Sequence, residues 1–247
     1  MIDESLVYSK EYEIKYYEQN LNGDLKESSL LNFLQDIATL SAESLGFGPS
    51  FVFSHNYAWV VLKYHIELYK EIKNLPSIVI KTEPRGVSKL YAFRDFELYS
   101  NQGELLGKAV STWALIDMET RRVLPAAKIL NMMIPFEKRD SDLEYMKVLP
   151  VENILYSKEF DIRFDDIDVN KHANNSNYIV WALETIPYEF RLNNSSKVID
   201  IKYRKEISLG GKVISNVQKD DCVTTHHLID SSSKEELCSL RVEWRSI

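Results

Sequence analysis

With 247 residues, 45% of them hydrophobic, the chain can build one large domain or two small ones around a substantial core. Thirty-seven acidic against 30 basic residues give a net charge of -7, which argues against nucleic acid as the main partner. Cys222 and Cys238 are the only cysteines and sit in no metal-ligand spacing, so a cytoplasmic, reduced setting with no metal and no cofactor is expected. No basic region precedes an apolar run at the N-terminus, and no apolar run is long enough to span a membrane, so neither a secretory signal nor membrane insertion is expected.

In chain order, an extended segment through Ile14-Lys15-Tyr16 leads to a predicted helix from Ser28 to Leu45. Leu30, Phe33, Leu34, Ile37, Ala38 and Ser41 recur there at helical spacing, Leu31, Leu40 and Leu45 widen the stripe, and Gly46 and Gly48 end it. Alternating runs follow: Val60 to Leu68, Ser77 to Thr82, Leu90 to Tyr99 and Leu105 to Ile116. Pro125 to Pro150 contains the polar run Glu137-Lys-Arg-Asp-Ser-Asp-Leu-Glu144 and reads as a linker between domains. A second extended segment, Ile162-Arg163-Phe164, precedes a second helix with Tyr178, Ile179, Ala182, Leu183 and Ile186 on its apolar stripe, running into Pro187. Strands are then predicted around Ile199 to Ile207, Lys212 to Gln218, Cys222 to Ile229 and Glu236 to Trp244.

This order is a weak duplication. Ile14-Lys15-Tyr16 falls on Ile162-Arg163-Phe164 at an offset of 148, which also places Asn20 on Asp168, Asn22 on Asn170, Asp24 on His172 and Ser28 on Ser176. Leu62-Lys63-Tyr64 matches Ile201-Lys202-Tyr203 at 139, pairing Glu67 with Glu206, and Trp113 matches Trp244 at 131. One helix per half with several strands and no second long helix favours antiparallel sheets over βαβ units, an α+β chain built twice.

Between the second extended segment and its helix stand Asp168, Asn170 and His172, two residues apart. If extended, the segment presents all three on one side. Asn174 or Asn175 can cap the helix behind them, so a carboxylate, an amide and an imidazole reach a helix N-terminus whose free N–H groups can stabilise negative charge. Each residue also has an ordinary reading: Asp and Asn shape turns, and Glu206 can form a surface ion pair with Lys202 or Arg204 on a shared strand face. His65 and the His226-His227 pair lack partners at ligand spacing and read as strand residues.

The segment Asp166-Ile-Asp-Val-Asn-Lys-His-Ala-Asn-Asn175, then Tyr178-Ile-Val-Trp181 and Leu183-Glu184, resembles the acyl-ACP thioesterases, the plant-type enzymes and their bacterial relatives. Tyr203-Arg-Lys-Glu206, Trp59-Val-Val61, Ser111-Thr-Trp113 and Thr120-Arg-Arg122 carry the likeness along the chain. The resemblance implies a tandem (double) hotdog, each half a long central helix wrapped by a curled antiparallel sheet: 1–130 for the acyl chain, 131–150 as linker, 151–247 with the catalytic residues. It implies hydrolysis of fatty acyl-ACP to free fatty acid and holo-ACP by Asp168, Asn170, His172 and Glu206. Phe33, Ile37 and Val61 would line the acyl tunnel, with Arg121, Arg122 and Arg204 as further substrate-binding residues facing an acidic acyl carrier protein. The plant members carry a cysteine after that glutamate; here it is Ile207. Direct water attack and an aspartyl intermediate both stay open, as do monomer and homodimer. The rival readings are an acyl-CoA thioesterase, a hotdog dehydratase or hydratase, and a non-catalytic acyl-binding module.

Overall fold

The computed structural model describes residues 6–130 and 140–247, and the chain packs as two compact units. One comprises Met1–Lys15, Phe33–Tyr69 and Leu75–Tyr145; the other comprises Tyr16–Asn32, Lys70–Asn74 and Met146–Ile247. The linker expected at 131–150 falls partly outside the described residues, and 140–150 forms no helix or strand.

The first half runs β1 (Tyr8–Glu13), α1 (Glu27–Ser44), α2 (Pro49–His55), β2 (Tyr57–Leu68), β3 (Ser77–Val87), β4 (Tyr91–Ser100), β5 (Leu105–Asp117) and α3 (Ala126–Leu130). The strands pair antiparallel in the order β1-β3-β4-β5-β2. Leu30, Leu31, Leu34 and Ile37 of α1 are buried, as its wide stripe requires. The helix stops at Gly46, whose φ of 85° a side chain would resist. There the Phe47 N–H donates to the Ala42 carbonyl and the Gly46 N–H to the Glu43 carbonyl, the two bonds of a Schellman cap.

The second half runs β6 (Tyr156–Asp161), α4 (Asn175–Leu183), α5 (Tyr188–Leu192), β7 (Asn194–Tyr203), β8 (Lys212–Asp220), β9 (Val223–Asp230) and β10 (Glu236–Ser246). Its strands pair in the order β6-β8-β9-β10-β7, the first half's order repeated. Helix α4 packs on β8, β9 and β10 and has 9 residues where α1 has 18. It ends at Leu183, and Ile186 packs in the core beyond it. Among the described residues no helix is long and apolar enough to cross a membrane.

The ladders correct the repeat register. Trp113 pairs with Val61 in the first half and Trp244 with Ser196 in the second, and a bulge interrupts each ladder at that point. Leu68 pairs with Gly107, as Tyr203 pairs with Cys238. β2 therefore maps onto β7 at an offset of 135, not 139, while Trp113 and Trp244 do correspond. The 139 match is a four-residue slip, and an even slip preserves the side-chain face that alternation reports.

Candidate active site

The loop before each helix is built from the same hydrogen bonds. In the second half, a 3₁₀ turn at Phe164–Asp166 leads into a bridge between Ile167 and Ala173. The Asp168 N–H donates to the His172 carbonyl at 2.9 Å and the Lys171 N–H to the Asp168 carbonyl at 3.0 Å. The side chain of Asp168 accepts from the Asn170 N–H at 2.8 Å. Asp168, Asn170 and His172 thus lie on a tight turn, not on one face of an extended segment. The Asx-turn bond of Asp168 outcompetes the extended form. Lys171 completes the turn with a φ of 67°.

The turn delivers the chain to α4. Asn174 caps that helix, its side-chain oxygen accepting from the Ser176 N–H at 2.9 Å. The Ala173 N–H donates to the Ile207 carbonyl at 2.9 Å, tying the loop to the segment after β7. That segment holds Glu206, which lies past the end of the strand rather than on a face shared with Lys202 and Arg204. The tie brings Glu206 Oε2 to 3.4 Å from His172 Nδ1. Arg204 and Lys205 turn elsewhere, to Glu236 at 3.0 Å and Glu235 at 2.5 Å. Asp168 and Asn170 bond to each other, Asn170 Nδ2 lying 3.4 Å from Asp168 Oδ2. Burial pushes the Tyr178 hydroxyl well above the usual phenol range, with smaller electrostatic contributions from Cys238, Glu206 and Asp168.

The first-half loop repeats this frame at the offset of 148. Its 3₁₀ turn is Tyr16–Glu18 and its bridge joins Gln19 to Leu25. The Asn20 N–H donates to the Asp24 carbonyl, the Gly23 N–H to the Asn20 carbonyl, and the Asn22 N–H to the Asn20 side chain. The Leu25 N–H donates to the Ile72 carbonyl at 2.8 Å, the counterpart of Ala173 to Ile207. Glu71 is therefore the counterpart of Glu206, and the Glu67 pairing is corrected. Sequence comparison alone missed Glu71; the Ile72–Ile207 equivalence reveals it. Asp24 occupies the place of His172, with Glu71 acting on it electrostatically.

The remaining candidates are not gathered at the catalytic-type loop. Phe33, Ile37 and Val61 are core residues of the first unit, with exposures of 9%, 0% and 1%. Arg121 and Arg122 are exposed after β5 in the same unit, whereas Arg204 is held by Glu236. A cleft of about 630 Å³ in the second unit is lined by Leu21, Asn22, Lys26, Ile179, Leu183 and Arg191 among others, and by none of Asp168, Asn170, His172 and Glu206. Cys238 is fully buried and burial pushes its thiol well up; Cys222 is exposed. His65 contacts Glu67 at 3.3 Å, and burial pushes His226 down to about 3.

The sequence profile of the acyl-ACP thioesterase N-terminal domain matches residues 5–131, and that of the C-terminal domain matches 152–246. The chain is 26% identical to chloroplastic oleoyl-acyl carrier protein thioesterase 1 of Arabidopsis thaliana, over 83% of this chain and 62% of that protein. It is 25% identical to the chloroplastic palmitoyl-acyl carrier protein thioesterase of the same plant, over 100% of this chain and 66% of that protein. The chain thus spans less than two thirds of the length of these two relatives. A putative oleoyl thioesterase from Lactobacillus plantarum superposes with a TM-score of 0.84 at 24% identity, covering 98% of this chain and 96% of that one. An acyl-ACP thioesterase from Bacteroides thetaiotaomicron gives 0.82 at 24% identity, covering 99% and 100%. These superpositions show the double hotdog fold.

Proposed function

The chain belongs to the acyl-ACP thioesterase family, and from that premise we propose that it hydrolyses the thioester of a fatty acyl chain on acyl carrier protein, releasing free fatty acid and holo-ACP. The observation that carries the reading is the pair His172–Glu206, 3.4 Å apart and formed between the capped loop and the segment after β7. A half-exposed imidazole beside a carboxylate can take a proton from an attacking water and return it to the departing thiolate. Glu206 orients the imidazole and supports the imidazolium that forms. Asn170 offers a side-chain amide N–H to the developing oxyanion, since the N–H groups of Ala173, Asn174, Ser176 and Asn177 are engaged within the loop and helix cap. Both oxygens of Asp168 accept from Asn170, which favours an orienting role over attack on the carbonyl. The 1–130 half is assigned to the acyl tail through Phe33, Ile37 and Val61, and Arg121, Arg122 and Arg204 to the acidic carrier.

The test is incubation with a set of acyl-ACPs and the corresponding acyl-CoAs, measuring free thiol and released acid. Faster turnover of acyl-ACP is expected. His172→Ala should lower kcat by about 100-fold or more, with the circular dichroism spectrum unchanged. Near-normal kcat in that variant would sink the assignment. Hydration or dehydration of an acyl chain without thiol release would favour the dehydratase reading.

A further inference from the structure

Glu206 stands in a stretch without regular structure, so no strand ladder fixes its carboxylate against His172. Main-chain N–H groups of Arg204 and Lys205 both donate to the Leu237 carbonyl, which secures the near side. Beside the Ala173–Ile207 tie, a further hold next to Glu206 comes from Tyr178, a ring of α4 with 1% exposure. Its hydroxyl donates to the Lys205 carbonyl at 3.2 Å. This hydroxyl thus binds the peptide group that joins Lys205 to Glu206. Tyr203 meets Tyr178 edge-on at 5.7 Å between ring centres, and its own hydroxyl donates to the Asn175 carbonyl at 3.2 Å.

The first repeat is an internal control. Its loop keeps the main-chain frame, including Leu25 to Ile72, and holds Glu71 in the place of Glu206. Yet the counterpart of Tyr178 at the helix offset is Leu30, and the counterpart of Tyr203 in the strand register is Leu68. Leucine cannot hydrogen bond, so the frame folds without either hydroxyl. The two tyrosines occur only where the glutamate faces a histidine.

We propose that Tyr178, braced by Tyr203, is a positioning residue for hydrolysis, its hydroxyl holding the peptide group that enters Glu206 so that the carboxylate stays within reach of His172. The proposal rests on the thioesterase reading above. Tyr178→Phe removes the hydroxyl and keeps the ring. With acyl-ACP it should lower kcat about tenfold, the size of a single lost hydrogen bond, and change KM less than about twofold, since it touches no substrate. In a Glu206→Gln background the same change should lower kcat by less than about twofold, because its effect travels through Glu206. Amide exchange at Ala173, measured by NMR, should quicken relative to the amides within α4. Tyr203→Phe, expected to lower kcat about threefold, probes the same segment should Tyr178→Phe fail to fold.

Equal kcat losses in the two backgrounds, or Ala173 exchange identical to the parent protein, would overturn the proposal. Absence of acyl-ACP hydrolysis by the unaltered protein would instead refute the thioesterase reading, and the exchange measurement would still decide whether the hydroxyl holds the segment.

Discussion

Asp24 and His172 occupy equivalent points of two nearly identical loops, and the difference between them has a measurable cost. Asp24 is 7% exposed, and among the described residues neither carboxylate oxygen has a hydrogen-bond partner. Burial first, then the nearby Glu71, raises its carboxyl above the usual range, with Lys73 opposing. The folded state therefore favours the protonated acid. Stability from this group is present below its unfolded pKa and is lost as the pH rises through the folded one. Asp24→Asn, which cannot ionise, should lose less stability than the parent between acidic and neutral pH in urea melts, with kcat unchanged. A parallel pH dependence in the two proteins would show that Asp24 is already stabilised as the anion. The cysteines are a second case at this scale. Cys238 is buried with its thiol pushed up, and Cys222 lies outside the loop, so neither offers a thiolate to His172. Cys222→Ala and Cys238→Ala should keep kcat within about twofold. The buried change should cost about 1 kcal/mol in urea melts through the lost sulfur packing. Inactivation by either, in a folded protein, would revive a thiol nucleophile.

The two loops also make a prediction as elements. Both need a residue with positive φ at the same point, filled by Gly23 at 80° in one and Lys171 at 67° in the other. A side chain there is strained, so Lys171→Gly should raise stability by up to about 1 kcal/mol, the relief partly offset by the entropy that glycine brings to the unfolded chain. Gly23→Lys should cost more than that, because a Cβ at Gly23 would stand 2.8 Å from Asn74 Oδ1. Equal and opposite shifts in the two variants, read by thermal melts, would show that local φ alone decides and that the Asn74 contact gives way.

These elements also mark what was legible in the sequence. The stripe of α1, its glycine stop, the capping asparagine and the alternating strands are local signals and were readable. The strand register was not, because the four-residue slip that pairs Tyr203 with Tyr64 leaves every side chain on its own face. Only the paired bulges opposite Trp113 and Trp244 fix it. The Asp168-Asn170-His172 spacing is visible in the sequence, but it does not decide the geometry, since two-residue spacing fits an extended chain and an Asx turn alike. The His172–Glu206 approach depends on a hydrogen bond from Ala173 to Ile207, residues 34 apart, which no local pattern announces.

At the scale of the whole molecule, the duplicated architecture carries one catalytic-type loop and one whose histidine position is an aspartate, so the halves are expected to divide their labour. If the first half holds the acyl tail, its core residues set which lengths are accepted. Phe33, Ile37 and Val61 are buried in the first unit, and trimming any of them should shift the product profile toward longer acids, while leaving the rate on the preferred substrate within an order of magnitude. Each methylene accommodated or excluded changes binding by about 0.8 kcal/mol, and discrimination of about 10–200-fold per methylene bounds the effect on kcat/KM. The cleft of about 630 Å³ in the second unit provides the contrast. Leu21, Leu183 and Leu192 line it, so enlarging Leu183 to Phe or Leu192 to Trp fills space there without altering the first core. Product profiles across acyl-ACP lengths for the two sets of variants decide between the sites. A profile moved by Ile37→Ala and Val61→Ala but unchanged by the cleft variants would place the tail in the first half. A profile moved by Leu183→Phe and indifferent to Ile37→Ala would reverse the assignment and make the cleft the acyl site.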